Sequence, residues 1–253
     1  MVINLNRKLK FYLIFWLVFA LIFAFLIYLV ASKNANYVKT SANSDSTAVT
    51  IIVDAGHGGE DGGATADDGT LEKDINLSVS LKLRDMLSAA GFNVVMTRET
   101  DEAIYSSEAK TTRQRKVSDI RNRMKLIEET DNAIFLSVHQ NHFGSPKYYG
   151  TQVFYSKNNP ESETLAKNIQ QTVVSLVQPE NTRAVKKTGT EIYLLYHAQV
   201  PAVMVECGFL SNAAETAKLK TDEYQSQMAF SILCGVLSYF DTAQNDVSTT
   251  EVT

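Results

Sequence analysis

Six short runs of β-branched and aliphatic residues, most of them separated by helix-length stretches, set the narrowest limit on what this chain can fold into. The runs are Val49–Asp54, Asn93–Thr97, Ala133–Val138, Thr151–Tyr155, Ile192–Tyr196 and Ala202–Val205. Lys73–Ala90, Val117–Glu129, Glu161–Val177 and Asp222–Phe240 have the length and apolar spacing of helices. Strands apolar on both sides need cover on both sides. The alternation therefore predicts an α/β fold: a single domain whose mostly parallel, twisted sheet of about six strands carries helices on both faces.

One helix is ambiguous. Asp74-Ile-Asn-Leu-Ser-Val-Ser-Leu-Lys-Leu83 alternates apolar and polar residues as a strand would. Its apolar residues also fall on two helical stripes, Ile75/Val79/Leu83/Met86/Leu87/Ala90 and Leu77/Leu81, and the run stops at Gly91, a common helix terminator. The reading is a helix sandwiched between the sheet and another layer.

The chain's ends read differently. After a short N-terminus (residues 1–10) that carries Arg7, Lys8 and Lys10, Phe11–Ala31 contains no charged or amide side chain. As a helix at ~1.5 Å per residue it would cover ~30 Å, the thickness of a bilayer's hydrocarbon core. The preceding basic residues put the N-terminus in the cytoplasm and everything after the run outside. The run exceeds a usual signal-peptide core, and Val30-Ala31-Ser32 is a poor cleavage site, so it reads as an uncleaved transmembrane anchor or signal. Residues 32–47 read as a flexible linker, residues 48–241 as the folded domain and residues 242–253 as a disordered polar tail. A net charge of −4 gives no footprint for nucleic acid. Cys207 and Cys234 both sit in apolar surroundings and read as buried free thiols.

Ligands of open α/β sheets bind beyond the carboxyl ends of the strands. After the first run comes Asp54 and then a glycine-rich loop presenting His57. After the second come Arg98 and Asp101, and after the third His139, Asn141 and His142. Glu206 follows the last, and Glu72 opens the first helix on the same side. Imidazoles gathered with carboxylates are the ligand set of a catalytic zinc site, in which three protein groups hold the ion and one position stays open. A serine triad has no G-x-S-x-G turn to anchor it. Spacing alone leaves the ligand set open: His57-Gly-Gly-Glu60 has the H-x-x-E spacing of zinc carboxypeptidases, and His139, His142 and His197 are all available. Asp54 and Asp61 read as loop hydrogen-bonding residues.

Five motifs carry a resemblance. Ala55-Gly-His-Gly-Gly-Glu-Asp-Gly-Gly-Ala64, Leu71-Glu-Lys-Asp-Ile-Asn-Leu77, Thr97-Arg-Glu-Thr-Asp101, Ser137-Val-His-Gln-Asn141 and Pro201-Ala-Val-Met-Val-Glu-Cys-Gly-Phe-Leu-Ser-Asn212 occur in order across the domain. The series resembles that of the zinc-dependent N-acetylmuramoyl-L-alanine amidases, most like the germination-specific, spore-cortex branch of endospore formers. The resemblance implies Zn²⁺ on His57, Glu72 and His139, with Glu206 as the catalytic carboxylate and Asn141 orienting loop or substrate. Glu60, His142 and His197 fall outside the implied set, and Arg98 and Arg123 are expected to make structural ion pairs near the rim. The implied reaction is cleavage of the amide between N-acetylmuramic acid and L-alanine in peptidoglycan. In that branch it proceeds with a muramic acid deacetylase to form muramic-δ-lactam, in the forespore intermembrane space of a sporulating Gram-positive bacterium. An accessory activator protein is a further implied partner.

Two other readings compete. A zinc carboxypeptidase acting on wall peptides would need an arginine aimed at a terminal carboxylate, and Arg98 and Arg123 are the candidates. A non-catalytic, membrane-tethered wall-binding protein would be expected to lack a ligand or the base, and neither position is missing here.

Overall fold

The computed structural model of the protein describes residues 49–250. The expected N-terminus, anchor and linker (1–10, 11–31 and 32–47) lie outside the described residues, as do the last three residues of the expected tail. Among the described residues no helix is long and apolar enough to cross a membrane.

The elements in chain order are β1 (Thr50–Ala55), α1 (Glu72–Ala89), β2 (Asn93–Met96), α2 (Thr112–Glu129), β3 (Ala133–Asn141), β4 (Gln152–Tyr155), α3 (Glu161–Leu176), β5 (Lys186–Lys187), α4 (Tyr193–His197), β6 (Ala202–Phe209), α5 (Ala213–Leu219) and α6 (Asp222–Thr250). The strands form one six-stranded sheet in the order β2-β1-β3-β6-β4-β5. Every pairing is parallel except that of β4 with β6. The expected α/β sheet is therefore present, with one antiparallel junction that the sequence pattern did not announce.

Side-chain alternation along the strands divides the core in two. Ile51, Val53, Leu136, Val138, Val203 and Val205 pack with Ile75, Val79 and Leu83 of α1, Leu165 and Ile169 of α3 and Met228 and Ile232 of α6. Ile52, Phe135 and Met204 point the other way and pack with Met124 and Ile127 of α2 and with Leu194 and Leu195 of α4. The ambiguous segment is a helix. Ile75, Val79, Leu83 and Leu87 are buried against the sheet, while Leu77 and Leu81 on the second stripe are half-buried. Leu83 is fully buried, and trimming such a side chain to Ala costs about 2–5 kcal/mol.

Four boundaries differ from expectation. Ile192–Tyr196 is not a strand but the start of the short helix α4, and the sheet's last strand is the exposed pair Lys186–Lys187. A run this short cannot distinguish the two periods, and Leu194 and Leu195 reach the core as helical neighbours. Helix α2 begins well before Val117. Thr111 caps it, its side chain accepting from the Gln114 amide while the Gln114 side chain accepts from the Thr111 amide, a complete capping box. Strands β3 and β6 run on to Asn141 and Phe209, so His139 and Glu206 lie within strands rather than after them. Finally, α6 continues to Thr250, through most of the stretch whose polar composition predicts a disordered tail. Both cysteines are free, as expected, although Cys234 is only half-buried.

Candidate metal centre and active edge

Buried charge fixes the loop that carries His57. Asp54, the last inward-facing residue of β1 on the α2 side, accepts hydrogen bonds from Ser137 Oγ at 2.6 Å, Thr97 Oγ1 at 2.9 Å and Arg123 Nη1 at 2.5 Å. Burial pushes the Asp54 pKa up, but Arg123 and the other groups around the carboxyl together outweigh it and hold it below the usual range. Arg123 also donates to the carbonyls of Ala55 (3.0 Å) and His57 (2.8 Å). Arg98 donates to the carbonyls of Ala55 (2.9 Å), Gly56 (3.1 Å) and Lys73 (2.8 Å). Arg98 and Arg123 are 2% and 3% exposed. They are thus not rim residues, and Arg98 grips backbone rather than a carboxylate. The grip holds His57 at φ +63°, a left-handed conformation that costs a non-glycine residue of order 1–3 kcal/mol.

The implied ligands meet. His57, Glu72 and His139 each offer a ligand atom, and these atoms all lie within 4.8 Å of one another. Glu72, in the first turn of α1, bridges the imidazoles: Oε2 is 3.3 Å from His57 Nε2, and Oε1 accepts from His139 Nδ1 at 2.8 Å. The helix dipole favours a carboxylate there. Its oxygens also accept from the amides of Ala64 (2.8 Å) and Gln140 (3.1 Å) and from Asn76 Nδ2 (3.2 Å). Burial pushes the Glu72 pKa up, but the two imidazoles outweigh it and keep the group ionised well below its ordinary value. His57 Nδ1 donates to Asp61 Oδ2 at 3.0 Å. Burial would lower the His57 pKa. Hydrogen bonds to Asp61 and Glu72 prevail and raise it to about 9. The rings of His57 and His139 sit 5.0 Å apart, nearly edge to face. Two glycines make room: a Cβ on Gly56 would lie 2.2 Å from His139 Nε2, and one on Gly63 would lie 2.6 Å from Glu72 Oε2.

Glu206 stands beside this group. It pairs with His139 across the parallel β3–β6 register, which sets both side chains on the same face of the sheet. Its Oε2 is shut off from solvent and has no hydrogen-bond partner among the described residues. Burial raises its pKa to about 7. This buried, partnerless oxygen next to three clustered donors makes Glu206 a candidate for chemistry rather than for folding. Asn141, two residues beyond His139, pairs with Phe209 and lines a cleft on the β4 side.

The remaining candidates stay away from the centre. Glu60 is exposed and paired with Arg115 at 2.7 Å. His142 is exposed, and exposed His197 closes α4 with its ring against Tyr193 and Tyr196. Neither belongs to the clustered donors.

A family model described as N-acetylmuramoyl-L-alanine amidase matches residues 51–238. The chain belongs to that family. It is a peptidoglycan amidase, and its clustered donors and Glu206 lie within the matched span. Over 190 residues the amidase is 40% identical to the germination-specific N-acetylmuramoyl-L-alanine amidase of Bacillus subtilis, a match covering 75% of this chain and 79% of that protein. Among solved structures it resembles the CwlD amidase from Clostridioides difficile, determined in complex with the GerS lipoprotein. That match has a TM-score of 0.74 and 43% identity, and covers 76% of this chain and 98% of the other. An N-acetylmuramoyl-L-alanine amidase from Clostridium difficile 630 matches with a TM-score of 0.67 and 31% identity, covering 78% and 98% of the two chains.

Asn76 and Gln140 of the amidase site were not singled out from sequence, and Asp61 was not given the role it has. Asp61 orients His57, whereas its sequence reading was generic loop bonding. Asn76 donates to Glu72 and to the Gly56 carbonyl, and its Oδ1 accepts from Gln140 Nε2 at 3.1 Å. The spacing of Asn76, one helical turn after Glu72, was the available signal.

Proposed function

We propose that this amidase is zinc-dependent and works on spore cortex from a membrane tether. The donor set supports zinc: two imidazoles and a carboxylate, no thiolate, and an unengaged carboxylate at one side. His57 would offer Nε2, because Asp61 occupies Nδ1, and Glu72 and His139 would complete the set. Zinc, when bound there, supplies Lewis acidity toward a carbonyl oxygen and brings a water's pKa toward neutrality.

The chain's own residues do the rest. Asp61, Asn76 and the Gln140 amide orient the ligands, and such outer partners fix tautomer and ring angle. Glu206 takes the proton of the water that attacks the lactyl carbonyl of the muramoyl amide. It then delivers that proton to the departing alanine nitrogen. A carboxylate poised near pH 7 can do both. Asn141, on the cleft side, orients the substrate.

The observation that carries the reading is the partnerless Oε2 of Glu206 beside the His57–Glu72–His139 cluster. Glu206→Gln should keep its zinc and lose turnover by roughly 10²–10⁴-fold, the usual worth of a positioned acid–base group. Near wild-type release of peptide from peptidoglycan would remove Glu206 from that role. His139→Ala should lose the zinc itself, and unchanged metal content by elemental analysis would refute the ligand assignment.

The cortex role is supported by the 40% identity to the germination-specific amidase of Bacillus subtilis. It implies action alongside a muramic acid deacetylase, in the forespore intermembrane space. A lipoprotein partner is proposed by analogy with the CwlD amidase. The tether rests on the apolar run Phe11–Ala31. The test is the cortex of spores lacking this chain, whose muramic-δ-lactam content should fall to near zero.

A further inference from the structure

The row of side chains that begins at His139 does not end at Glu206. Gln152 of β4 is the antiparallel register partner of Glu206, so it lies on the same face, one strand farther from the metal centre. Gln152 Oε1 accepts from Arg183 Nη1 at 3.1 Å, and Gln152 Nε2 donates to the Ala184 carbonyl at 2.9 Å. Arg183 Nε donates to the Tyr149 carbonyl at 2.7 Å, and its guanidinium lies over the Phe209 ring, 4.5 Å from the centroid. These contacts fix the plane of the guanidinium at the wall of an open cleft of about 360 Å³, which Asn141, Gln152 and Lys186 also line.

What Arg183 lacks is a carboxylate. Among the described residues neither Arg183 nor Lys186 has an acidic oxygen within 4.0 Å. The nearby Glu215 is spent on the amides of Gly150 and Phe209. An oriented, unpaired guanidinium with a second cation beside it is built to take a carboxylate from a ligand. The lever arm is set by the sheet. Glu206 and the β5 strand bearing Lys186 are two strand spacings apart, ~10 Å. Extended chain spans ~3.5 Å per residue, so the group met there belongs to a residue two or three along from the scissile amide.

We infer that Arg183, seconded by Lys186, is a subsite for a free carboxylate on the second or third residue of the peptide this enzyme releases. The inference rests on the amidase reading but is tested without turnover. The zinc-loaded full-length protein is titrated calorimetrically with the free stem tripeptide. Two further forms are titrated, one carrying a carboxamide in place of the carboxylate on the second residue and one on the third. One of the two replacements should weaken binding ~10–100-fold, the range of a charge-assisted hydrogen bond lost from a partly shielded site. Arg183→Gln should lose the same factor for the free tripeptide and nothing more for that carboxamide. Lys186→Gln, on an exposed strand, should show a smaller loss with the same selectivity. On the intact substrate Arg183→Gln should raise KM about tenfold and leave kcat within about twofold. Equal affinity of the unaltered protein for all three peptides overturns the subsite, as does no binding at millimolar peptide. An equal loss by Arg183→Gln for every peptide also overturns it. Selective peptide binding without any peptide release from peptidoglycan would instead leave the subsite standing and sink the amidase reading.

Discussion

On the β1 side of the active edge the charges are matched: buried Asp54 with Arg123, buried Glu72 with two imidazoles, half-buried Asp61 with His57, and exposed Asp101 with Lys73 at 2.7 Å. On the β4–β5 side Arg183 and Lys186 border a cleft and have no carboxylate within 4.0 Å among the described residues. The first flank spends its polar groups on holding a strained loop and the His57–Glu72–His139 cluster in place. The second leaves its polar groups for something that arrives from outside. Preorganisation and recognition are thus separated along one sheet, with Glu206 at the border between them.

The difference can be broken at several points. Arg123→Met leaves Asp54 buried without its counter-ion and releases two loop carbonyls, and should cost about 3–5 kcal/mol in urea unfolding. Arg183→Gln should cost about 1 kcal/mol or less in the same measurement, because its neighbours remain partly solvated. Comparable losses for the two would mean that the flanks do not differ. Next in size, Asp61→Asn weakens the hydrogen bond that orients His57 and should reduce metal affinity about 10–100-fold, read by competition with a chelator. Unaltered affinity would make Asp61 a loop residue after all.

A further effect is one of pH on the metal-free protein. His57 is raised from 6.5 to about 9, so the stability its partners confer is complete below pH 6.5 and disappears as pH climbs through 9. Glu206 is raised from 4.5 to about 7 by burial, and ionising it also costs the fold as pH rises through that interval. Both act in one direction, so Tm should decline steadily from about pH 5 to 9. Metal, which competes with the proton on His57, should bind more tightly over the same rise and reverse the trend. A flat Tm in chelator would show that these shifts do not exist.

Much of this was legible beforehand because the signals were local and redundant. The strand before His57, the helix after Glu72 and the apolar runs leading into His139 and Glu206 each announce themselves by composition and period. His57, Glu72, His139 and Glu206, which the structure brings together, came from ordered motifs, whereas spacing alone had left Glu60, His142 and His197 in contention. What escaped was non-local. Nothing in Lys186–Lys187 marks a strand, because two residues have no period, and their pairing depends on β4 already being in place. The helical character of Tyr193–His197 is decided by packing against Phe135 and Met204 rather than by its own residues. Arg98 and Arg123 looked like rim residues because charge suggests solvent. Only the assembled sheet supplies the carbonyls that let them be buried, and with both turned inward neither arginine is free for a terminal carboxylate, as the carboxypeptidase reading required.

The sheet order β2-β1-β3-β6-β4-β5 puts His139 and Glu206 on its two middle strands. Amides there cannot be freed by fraying at an edge. In deuterium labelling of the native protein, the backbone around Val138 and Val205 should trade hydrogens only when the entire domain comes apart, while Lys186 and Lys187 trade theirs early. The Glu206 carboxylate would then keep its alignment for as long as the molecule remains folded at all, and loss of activity on warming would report global melting rather than a loosened pocket.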